Sequence, residues 1–364
     1  MTSKTKERWV LQLCHGYDMP FHDIARQYTR LLNKLNYKVL TVFLTGKKDS
    51  KIARYTDSDK VIFLENSSED LRGAKRKQIA QVKEIYNETT PEFVVAQRYK
   101  AIYIACHLPE TPVIGVCHAF GVFNRWRRRA FAYLNRKRLF LLGVSNAVCN
   151  NIKQALPFFP SGQIRYQYNH IDIKAIQDKQ LSREESRKLL GLPADGYIFG
   201  NVGRLHPDKD QASLIKAFAR AVKSMPDASL VIIGKGKLES DLKKLAKKEN
   251  IQKKVVFTGV VPDAYKYFKA FNSFILTSDH EPFGMVVLEA MAAGLPVASS
   301  NCGGPGEILK SNLFTTGDTD RIANILLELY QSKDNGIYQL ELQRFSLEIT
   351  AEDFIDSLNY WKID

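Results

Sequence analysis

The chain has 364 residues, of which 45% are apolar and 25% charged, so it is long enough for two globular domains and too apolar for a disordered protein. Its formal net charge of +14 arises in the first half, where residues 1–180 carry 30 Lys and Arg against 15 Asp and Glu. No apolar run approaches the roughly 20 residues that span a bilayer. The five cysteines are odd in number and lack a CxxC pair, which argues against a disulfide framework or zinc site and favours buried thiols in a reducing compartment.

The first apolar stretch of the chain is short. Trp9–Cys14 follows three basic residues and is interrupted at once by His15 and Gly16. It is therefore too short for the apolar segment of a signal peptide. We expect a cytoplasmic protein that is neither secreted nor membrane-spanning.

Short apolar, β-branched runs alternate with helical patterns through the first half of the chain. The strand candidates are Trp9–Leu13, Val39–Leu44, Val61–Leu64, Phe93–Ala96, Val113–Cys117, Leu139–Val144 and Ile164–Tyr168. Helical stretches such as His22–Leu35 and Asn146–Ala155 lie between them. This alternation predicts βα units around a parallel sheet.

Between Thr111 and Ile171 the chain has no acidic residue, and basic residues lie among aromatic ones. The basic members are Arg125, Arg127, Arg128, Arg129, Arg136, Lys137 and Arg138, and the aromatic members are Trp126, Phe131, Tyr133 and Phe140. Such a stretch is typical of contact with an anionic membrane surface or an anionic acceptor. A solvated helix face and a nucleic-acid-binding surface are the competing interpretations.

A second α/β half begins after a helix with clear start and stop signals. Ser182 and Glu185 form a capping box, and Gly191 with Pro193 ends the helix. The strand candidates that follow are Tyr197–Val202, Ser229–Ile233, Val255–Thr258, Phe274–Leu276 and Pro296–Ser299. We predict domains at residues 1–175 and 176–345, followed by an amphipathic tail at 346–364.

The segment from Ser278 to Val297 contains two glutamates with seven residues between them. Glu281 lies in a loop after a strand, and Glu289 lies inside the helix that Gly284 precedes. A glycine there lets the backbone approach a ligand, and the N–H groups of the helix N-terminus favour an anion. Taken alone, the two glutamates are most simply interpreted as one solvent-facing helix residue and one loop residue.

The whole segment closely resembles the donor-binding motif of the family-four retaining glycosyltransferases. That resemblance implies a GT-B fold, in which two Rossmann-like domains face each other across a cleft and the tail helix crosses back to the first domain. It implies that Glu281 holds hydroxyls of the transferred sugar and that Glu289 holds the ribose of the nucleotide. The backbone groups implied to contact sugar and diphosphate belong to Phe283, Gly284, Met285 and Val286.

A second signature runs from Asn201 to Phe218. Arg204 and Lys209 follow the carboxyl end of a strand, where doubly wound sheets bind ligands, and an Arg fork with a Lys charge suits a diphosphate. The family uses such a pair for its leaving group, although here Asp210 stands where a Gly usually follows the Lys. Two exposed cations without a role are the alternative.

Further matches are less specific. Val260 and Val261 resemble the loop that meets the nucleobase, and Gly303–Glu307 resembles the family's glycine turn. In the first half, His118 resembles the strand-end histidine near the donor sugar, although a histidine that only precedes a helix is the alternative. The first loop has the single Gly16 where the family commonly has two glycines that contact the diphosphate.

The resemblance implies transfer of a sugar, with retention, from a nucleotide-diphosphate sugar to an acceptor hydroxyl. Arg204, Lys209 and the helix end at Gly284 are then the electrostatic catalysts, and neither a cofactor nor a metal is required. We interpret the metal-motif-like Asp57-Ser-Asp59 and Asp318-Thr-Asp320 as surface turns.

We expect a UDP-sugar donor and a glycan or glycolipid acceptor of the bacterial envelope, such as the lipopolysaccharide core. The enzyme is then peripheral on the anionic inner face of the cytoplasmic membrane and binds no nucleic acid. The alternatives are a sugar-nucleotide epimerase or soluble-disaccharide-forming transferase on the same fold, and a basic nucleic-acid-binding protein.

Overall fold

The computed structural model describes residues 7–18, 21–332 and 338–363. The chain divides into two compact units. The first runs to His170 and includes the segment from Leu347 onwards, and the second comprises Ile171–Ser346. The division falls five residues before the predicted boundary at residue 175.

The first unit contains a seven-stranded sheet in which the paired strands are parallel. Its strands are β1 (Trp9–Cys14), β2 (Lys38–Thr45), β3 (Lys60–Asn66), β4 (Phe93–Gln97), β5 (Val113–Cys117), β6 (Leu139–Gly143) and β7 (Ile164–Tyr166). Strands β4, β5 and β6 are buried along their whole length, which explains their continuous apolar sequence.

Six helices accompany this sheet before the chain enters the second unit. They are α1 (Phe21–Lys34), α2 (Ser50–Tyr55), α3 (Arg76–Thr89), α4 (Tyr99–Ala105), α5 (Trp126–Leu134) and α6 (Asn146–Ala155). Ser145 caps α6 by accepting a hydrogen bond from the Val148 N–H at 3.1 Å, a side-chain cap of the kind that favours helix starts.

The strand order of the first sheet is β3-β2-β1-β4-β5-β6-β7. From β1 the chain adds strands in one direction, and from β4 it adds them in the other. The loops that follow these two neighbouring strands therefore diverge and leave a crevice at the carboxyl ends of the strands, where open α/β sheets bind ligands.

The second unit repeats this plan with a six-stranded sheet of order β10-β9-β8-β11-β12-β13. Its strands are β8 (Tyr197–Val202), β9 (Ala228–Ile233), β10 (Val255–Gly259), β11 (Ser273–Leu276), β12 (Val297–Ser300) and β13 (Leu313–Phe314). Here the order reverses between β8 and β11. The buried core on one side is rich in Leu, Ile and Phe contributed by β8, β9 and the helices over them.

The helices of the second unit follow in chain order. They are α7 (Ile173–Gln177), α8 (Arg183–Leu189), α9 (Gln211–Ala221), α10 (Glu239–Lys248), α11 (Met285–Ala292), α12 (Gly304–Ile308), α13 (Thr319–Gln331) and α14 (Gln339–Gln343). Short 3₁₀ turns lie at Ser161–Gln163, Pro207–Lys209, Val222–Ser224 and Ala264–Ala270. The capping box of α8 is present, with Ser182 and Glu185 bonding each other's backbone N–H.

The last helix, α15 (Leu347–Trp361), belongs to the first unit. Its Trp361 indole donates to the Gly162 carbonyl at 2.8 Å, and the Thr350 carbonyl accepts from the Gln167 amide at 2.9 Å. These bonds and a contact between the Trp361 and Phe140 rings hold the tail against the end of the first sheet.

The twelve predicted strands are all present, and their ends differ from the prediction by at most two residues. Strand β13 was not predicted, because two residues are too few to show a periodic pattern. All five cysteines are buried and free, as predicted. In the part of the chain that the structure describes, no helix combines the length and apolar character needed to cross a membrane.

Candidate functional site

The sequence-predicted residues Lys209 and Glu281 meet in the second unit. Lys209 ends the 3₁₀ turn after β8, and Glu281 lies in the loop between β11 and α11. The Lys209 ammonium donates to Glu281 Oε2 at 2.5 Å, and the two side chains are only 17% and 15% exposed. The pair therefore lies at the crevice where the order of the second sheet reverses.

The glycine turn after β12 supports the Glu281 loop. Glu281 forms an isolated parallel bridge with Gly303, and its carbonyl accepts from the Gly304 N–H at 3.1 Å. A Cβ on Gly304 would lie 2.1 Å from the Phe283 carbonyl oxygen, so only glycine permits this approach. The turn that the sequence identified thus holds the loop carrying Glu281.

Helix α11 begins beside this pair with no side-chain cap. Gly284 precedes it in a left-handed conformation, φ 103°, and contributes no capping hydrogen bond. The first N–H groups of the helix, those of Met285 and Val286, are therefore suited to an anion. Phe283 is buried through its ring, so only its backbone is available to a ligand. Glu289 lies half-buried on the same helix.

Arg204 lies in the loop after β8 that also carries Lys209. Its side chain is 72% exposed, and its guanidinium is 3.4 Å from the Asp208 carboxylate. The other oxygen of Asp208 is 2.5 Å from His206 Nδ1. Arg204 is therefore tethered by one weak, solvent-screened contact, and its remaining donors are able to reach a ligand.

Asp210 occupies the position where the resemblance leads us to expect glycine, and the backbone explains the substitution. Its φ is 40° and ψ is 44°, a left-handed conformation that Asp tolerates better than most residues. Its carboxylate caps α9 by accepting from the Ser213 N–H at 3.3 Å. Of the two roles considered for this residue, reduction of the positive potential and capping of the helix, the structure shows the cap.

The loops after β8 and β9 touch through glycines. A Cβ on Gly234 would lie 1.9 Å from the Gly203 carbonyl oxygen, and one on Gly236 would lie 2.3 Å from the Leu205 carbonyl oxygen. The predicted nucleobase loop follows the next strand, β10, where Val260 is 68% exposed and Val261 is partly buried. Close packing of these loops sets the shape of the crevice.

In the first unit, His118 follows β5 and is held by a chain of buried amides. Its Nε2 is 2.7 Å from Gln97 Oε1, and the Gln97 amide nitrogen donates to Gln12 Oε1 at 3.4 Å. Gln12 in turn donates to the Ala25 carbonyl at 3.1 Å and to Thr41 Oγ1 at 2.9 Å.

This chain determines the tautomer of His118. The Ala25 carbonyl only accepts, so the Gln12 amide must present its nitrogen to it and its oxygen to Gln97. Gln97 must then present its own oxygen to His118, and Nε2 must carry the proton. Burial, and secondarily the charge of Arg98, lowers the pKa of His118 to about 3. The ring is therefore neutral at pH 7 with its Nδ1 lone pair available.

Gly16 follows β1 at the crevice of the first sheet. A Cβ there would lie 2.7 Å from Thr45 Oγ1, and that hydroxyl donates to the His15 carbonyl at 2.7 Å. Glycine is thus required for packing between β1 and β2. Its contact with a diphosphate stays a prediction.

The basic stretch of the first unit divides into exposed and internally bonded members. Arg125, Arg127 and Arg129 are exposed, and Trp126 is 72% exposed. The guanidinium groups of Arg128 and Arg129 donate to the carbonyls of residues 122–124. Phe140 is buried in β6, and Arg138 binds carbonyls at residues 106–109. Because Arg128, Arg136 and Arg138 are only partly exposed, the exposed basic surface is smaller than the sequence indicates.

In each of the metal-motif-like pairs the first aspartate bonds to groups of the protein. Asp57 accepts from the guanidinium groups of Arg26 and Arg30, and Asp318 caps α13. Among the residues described, no group of three or more His, Cys, Asp or Glu could hold a metal ion.

Sequence reasoning missed the residues that follow β4. Gln97 ends that strand, Arg98 directly precedes α4, and Lys100 lies in the first turn of α4. The sequence did contain a signal for these residues, because polar residues directly after a buried parallel strand lie at the ligand-binding edge of a sheet. Phe93–Ala96 was predicted as such a strand, but the polar residues after it were not considered.

Comparison with known proteins identifies the second unit. Residues 182–339 match the family described as "Glycosyl transferases group 1". Over this segment, which is less than half of the chain, the protein is similar to the group 1 glycosyltransferases. The matched residues include the Lys209–Glu281 pair, the start of α11 and the glycine turn.

The curated relatives match part of the chain. An uncharacterized glycosyltransferase of Methanocaldococcus jannaschii, MJ1059, is 38% identical over 39% of this chain and 36% of its own length. A GDP-mannose-dependent phosphatidylinositol monomannoside mannosyltransferase of Corynebacterium glutamicum is 33% identical over 40% and 41%. The lipopolysaccharide core biosynthesis glycosyltransferase LpsD of Rhizobium meliloti is 33% identical over 34% and 35%. The chain thus spans less than half the length of these relatives.

Solved structures match the whole chain. A glycosyltransferase from Rickettsia africae has a TM-score of 0.82 at 15% identity and covers 99% of both chains. Anabaena HepE in complex with UDP and glucose has a TM-score of 0.78 at 19% identity, covering 96% of this chain and 99% of its own. At these identities the likeness concerns the fold, which is GT-B, and the predicted fold class is confirmed.

Proposed function

We propose that the protein is a retaining glycosyltransferase that moves a sugar from a nucleotide-diphosphate sugar to a hydroxyl of a glycan or glycolipid in bacterial envelope biosynthesis. One observation carries the proposal. The Lys209–Glu281 pair lies in the loops beside the uncapped start of α11, so a cation, a carboxylate and free backbone N–H groups come from neighbouring loops of one unit.

These groups match the parts of an activated sugar. The ammonium of Lys209 and the N–H groups at the start of α11 suit the diphosphate, and the exposed guanidinium of Arg204 adds a bidentate donor. The carboxylate of Glu281 suits sugar hydroxyls, because each of its oxygens accepts a hydrogen bond from an O–H group. HepE, which shares the fold, is known in complex with UDP-glucose, and this supports a UDP-sugar as the donor. Glu289 and the Val260–Val261 loop are proposed to hold the nucleoside.

The chemistry we propose is mainly electrostatic. Lys209, Arg204 and the start of α11 would stabilise the negative charge that builds on the departing diphosphate. Glu281 is paired with a cation at 2.5 Å, which suits a hydroxyl acceptor better than a covalent nucleophile. We therefore propose that the leaving phosphate takes the acceptor proton, and that neutral His118 helps to shape the reaction centre. No metal is required by this scheme.

The acceptor is proposed to be anionic or membrane-held. The net excess of positive charge is confined to the first half of the chain, and Arg125, Arg127 and Trp126 are exposed, a combination that favours an anionic surface. The relative LpsD acts in lipopolysaccharide core biosynthesis. We accordingly place the reaction at the inner face of the cytoplasmic membrane.

The donor proposal is tested by thermal unfolding in the presence of UDP-, GDP- and ADP-sugars. One of them is expected to raise the melting temperature, because a ligand that binds only the folded state stabilises it. Lys209→Gln should abolish this shift, whereas Lys216→Gln, which changes an exposed lysine on α9, should not. A chain that responds to none of the nucleotide sugars would contradict the proposal.

Product analysis with a labelled donor then separates transfer from the alternatives. Label in a lipid-linked glycan supports the envelope role, label in a soluble disaccharide indicates a different acceptor, and an epimerised nucleotide sugar indicates an epimerase. Retention is read from the anomeric configuration of the product.

A further inference from the structure

Three cations of the first unit are held by aromatic rings around α4. Tyr99 and Tyr103 lie one turn apart on this helix, and the Arg128 guanidinium is 4.3 Å from the Tyr99 ring centroid. The Lys75 ammonium is 4.5 Å from the centroid of Tyr103. Arg98, the residue before α4, has its guanidinium 4.4 Å from the Phe21 ring centroid. Aromatic faces therefore position these cations.

A ring positions a cation without neutralising it, so the net charge of the cluster depends on whether carboxylates pair with its cations. Within residues 7–18, 21–332 and 338–363, no Asp or Glu oxygen lies within 4.0 Å of the charged nitrogens of Lys75, Arg98 or Lys100. Two acidic residues in this part of the chain interact with other groups. Glu69 forms a salt bridge with Arg72 at 3.7 Å, and the charge of Asp18 acts to raise the pKa of His15. The cluster thus keeps its positive charge.

The cations of the cluster also destabilise one another. Partial burial, followed by the charges of Lys100 and Arg128, lowers the pKa of Lys75. Partial burial, followed by Arg98 and Arg72, lowers the pKa of Lys100. Like charges that are held close in this way are relieved by a bound anion.

The cluster lies where the first sheet is built to bind a ligand. Arg98 directly follows β4, and β4 is the neighbour of β1 at the reversal of strand order. Its backbone has φ 74° and ψ 158°, a conformation that non-glycine residues rarely adopt and that often marks functional sites. An arginine thus stands at a backbone position where a glycine would be less strained.

We propose that Lys75, Arg98 and Lys100, with the charge of Arg128, bind a phosphate group carried by the sugar acceptor. The inference rests on the proposed transferase function and names the acceptor class. Several clustered cations favour a phosphate monoester, with close to two negative charges, over a single carboxylate. Arg98 supplies a planar fork and the two lysines supply point charges, the combination that suits phosphate oxygens.

The direct test is calorimetric titration of the full-length protein with inorganic phosphate and with glucose 6-phosphate. Lys75→Gln and Lys100→Gln should each weaken binding about tenfold, because each removes one charged hydrogen-bond donor. Lys77→Gln, which changes an exposed lysine on α3, is the matched control and should leave the affinity unchanged. Acetate should bind more weakly than phosphate, and equal losses in all three variants would overturn the proposal.

Arg98→Gly separates ligand binding from folding. Glycine relieves the strained backbone, so this variant should unfold at the same or a higher temperature while its phosphate affinity falls. A lower melting temperature with unchanged phosphate affinity would assign Arg98 a structural role and overturn its part in the site.

Two further measurements distinguish the source of the phosphate and the donor site. Vesicles of phosphatidylglycerol in phosphatidylcholine test a lipid headgroup, and binding to these vesicles without binding to the free phosphates would overturn the proposal. Stabilisation by UDP should be the same in the Lys75 and Lys100 variants as in the unmodified protein. A protein that binds phosphate but no nucleotide sugar would contradict the proposed function and leave the phosphate site standing.

Discussion

The neutral His118 makes the stability of the first unit depend on pH. Burial, with Arg98, lowers its pKa from 6.5 to about 3 in the folded protein. Above pH 6.5 the ring is neutral whether the chain is folded or unfolded, so it contributes no pH dependence. As the pH falls from 6.5 towards 3, only the unfolded chain takes up this proton, and stability is lost.

The size of this loss follows from the two pKa values. Between pH 7 and pH 5 the unfolded histidine becomes protonated and the folded one does not, which lowers the free energy of unfolding by about 2 kcal/mol. His118→Gln removes the titrating group, and its amide nitrogen is able to replace Nε2 as donor to Gln97. Its pH dependence over this interval should therefore be smaller by about 2 kcal/mol.

The assay is urea unfolding followed by tryptophan fluorescence at pH 7 and pH 5. All three tryptophans, Trp9, Trp126 and Trp361, belong to the first unit, so the signal reports on the unit that contains His118. Comparing the variant with the unmodified protein at each pH cancels other titrating groups, including His15, whose pKa is about 4. The reasoning is refuted if the two proteins lose the same stability between the two pH values.

Substitutions at three further positions test the second unit. Asp210→Gly should change the free energy of unfolding by only a few tenths of a kcal/mol, whereas Asp210→Ala should lower it by about 1 to 2 kcal/mol. The reason is that only glycine offsets the lost helix cap with a relaxed backbone. Urea unfolding followed by circular dichroism measures both changes, and equal losses would contradict this account. Gly234→Ala should destabilise the second unit by several kcal/mol, because a Cβ would lie 1.9 Å from the Gly203 carbonyl oxygen. A melting temperature equal to that of the unmodified protein would contradict that geometry. Glu281→Gln should tighten UDP binding several-fold by releasing Lys209, yet it should lower turnover of the UDP-sugar. Calorimetry measures the UDP affinity, and product formation measures the turnover. A loss of both affinity and turnover would argue against the proposed roles.

The elements and the main motifs of the second unit were predictable because they are local. A buried parallel strand shows as an apolar run, and a capping box such as that of Ser182 and Glu185 is confined to four residues. The adjacency of Lys209 and Glu281, 72 residues apart, was available only through the family resemblance. Periodicity does not report which strands are neighbours.

The amide chain behind His118 illustrates what the sequence could not provide. Gln12 and Gln97 are separated by 85 residues, and each is an isolated polar residue within an apolar strand. Only the pairing of β1 with β4 brings them together and orients their amides. The division of the basic stretch is a similar case, because the carbonyls that bind Arg128 and Arg129 are set by the path of the loop at residues 122–124.

Lys209 in the second unit and the cations around α4 in the first unit are held in different ways. This difference predicts how anion binding at each place depends on salt. Lys209 is paired with Glu281, so a diphosphate that binds it must replace an existing charged partner, and little net charge is neutralised. Lys75 and Arg98 are held by rings, so an anion there neutralises charge that nothing else compensates. Because salt screens uncompensated exposed charge most strongly, phosphate binding to the first unit should weaken more steeply with added salt than UDP binding to the second. The same dependence for both ligands would mean that the cations around α4 are already neutralised in solution.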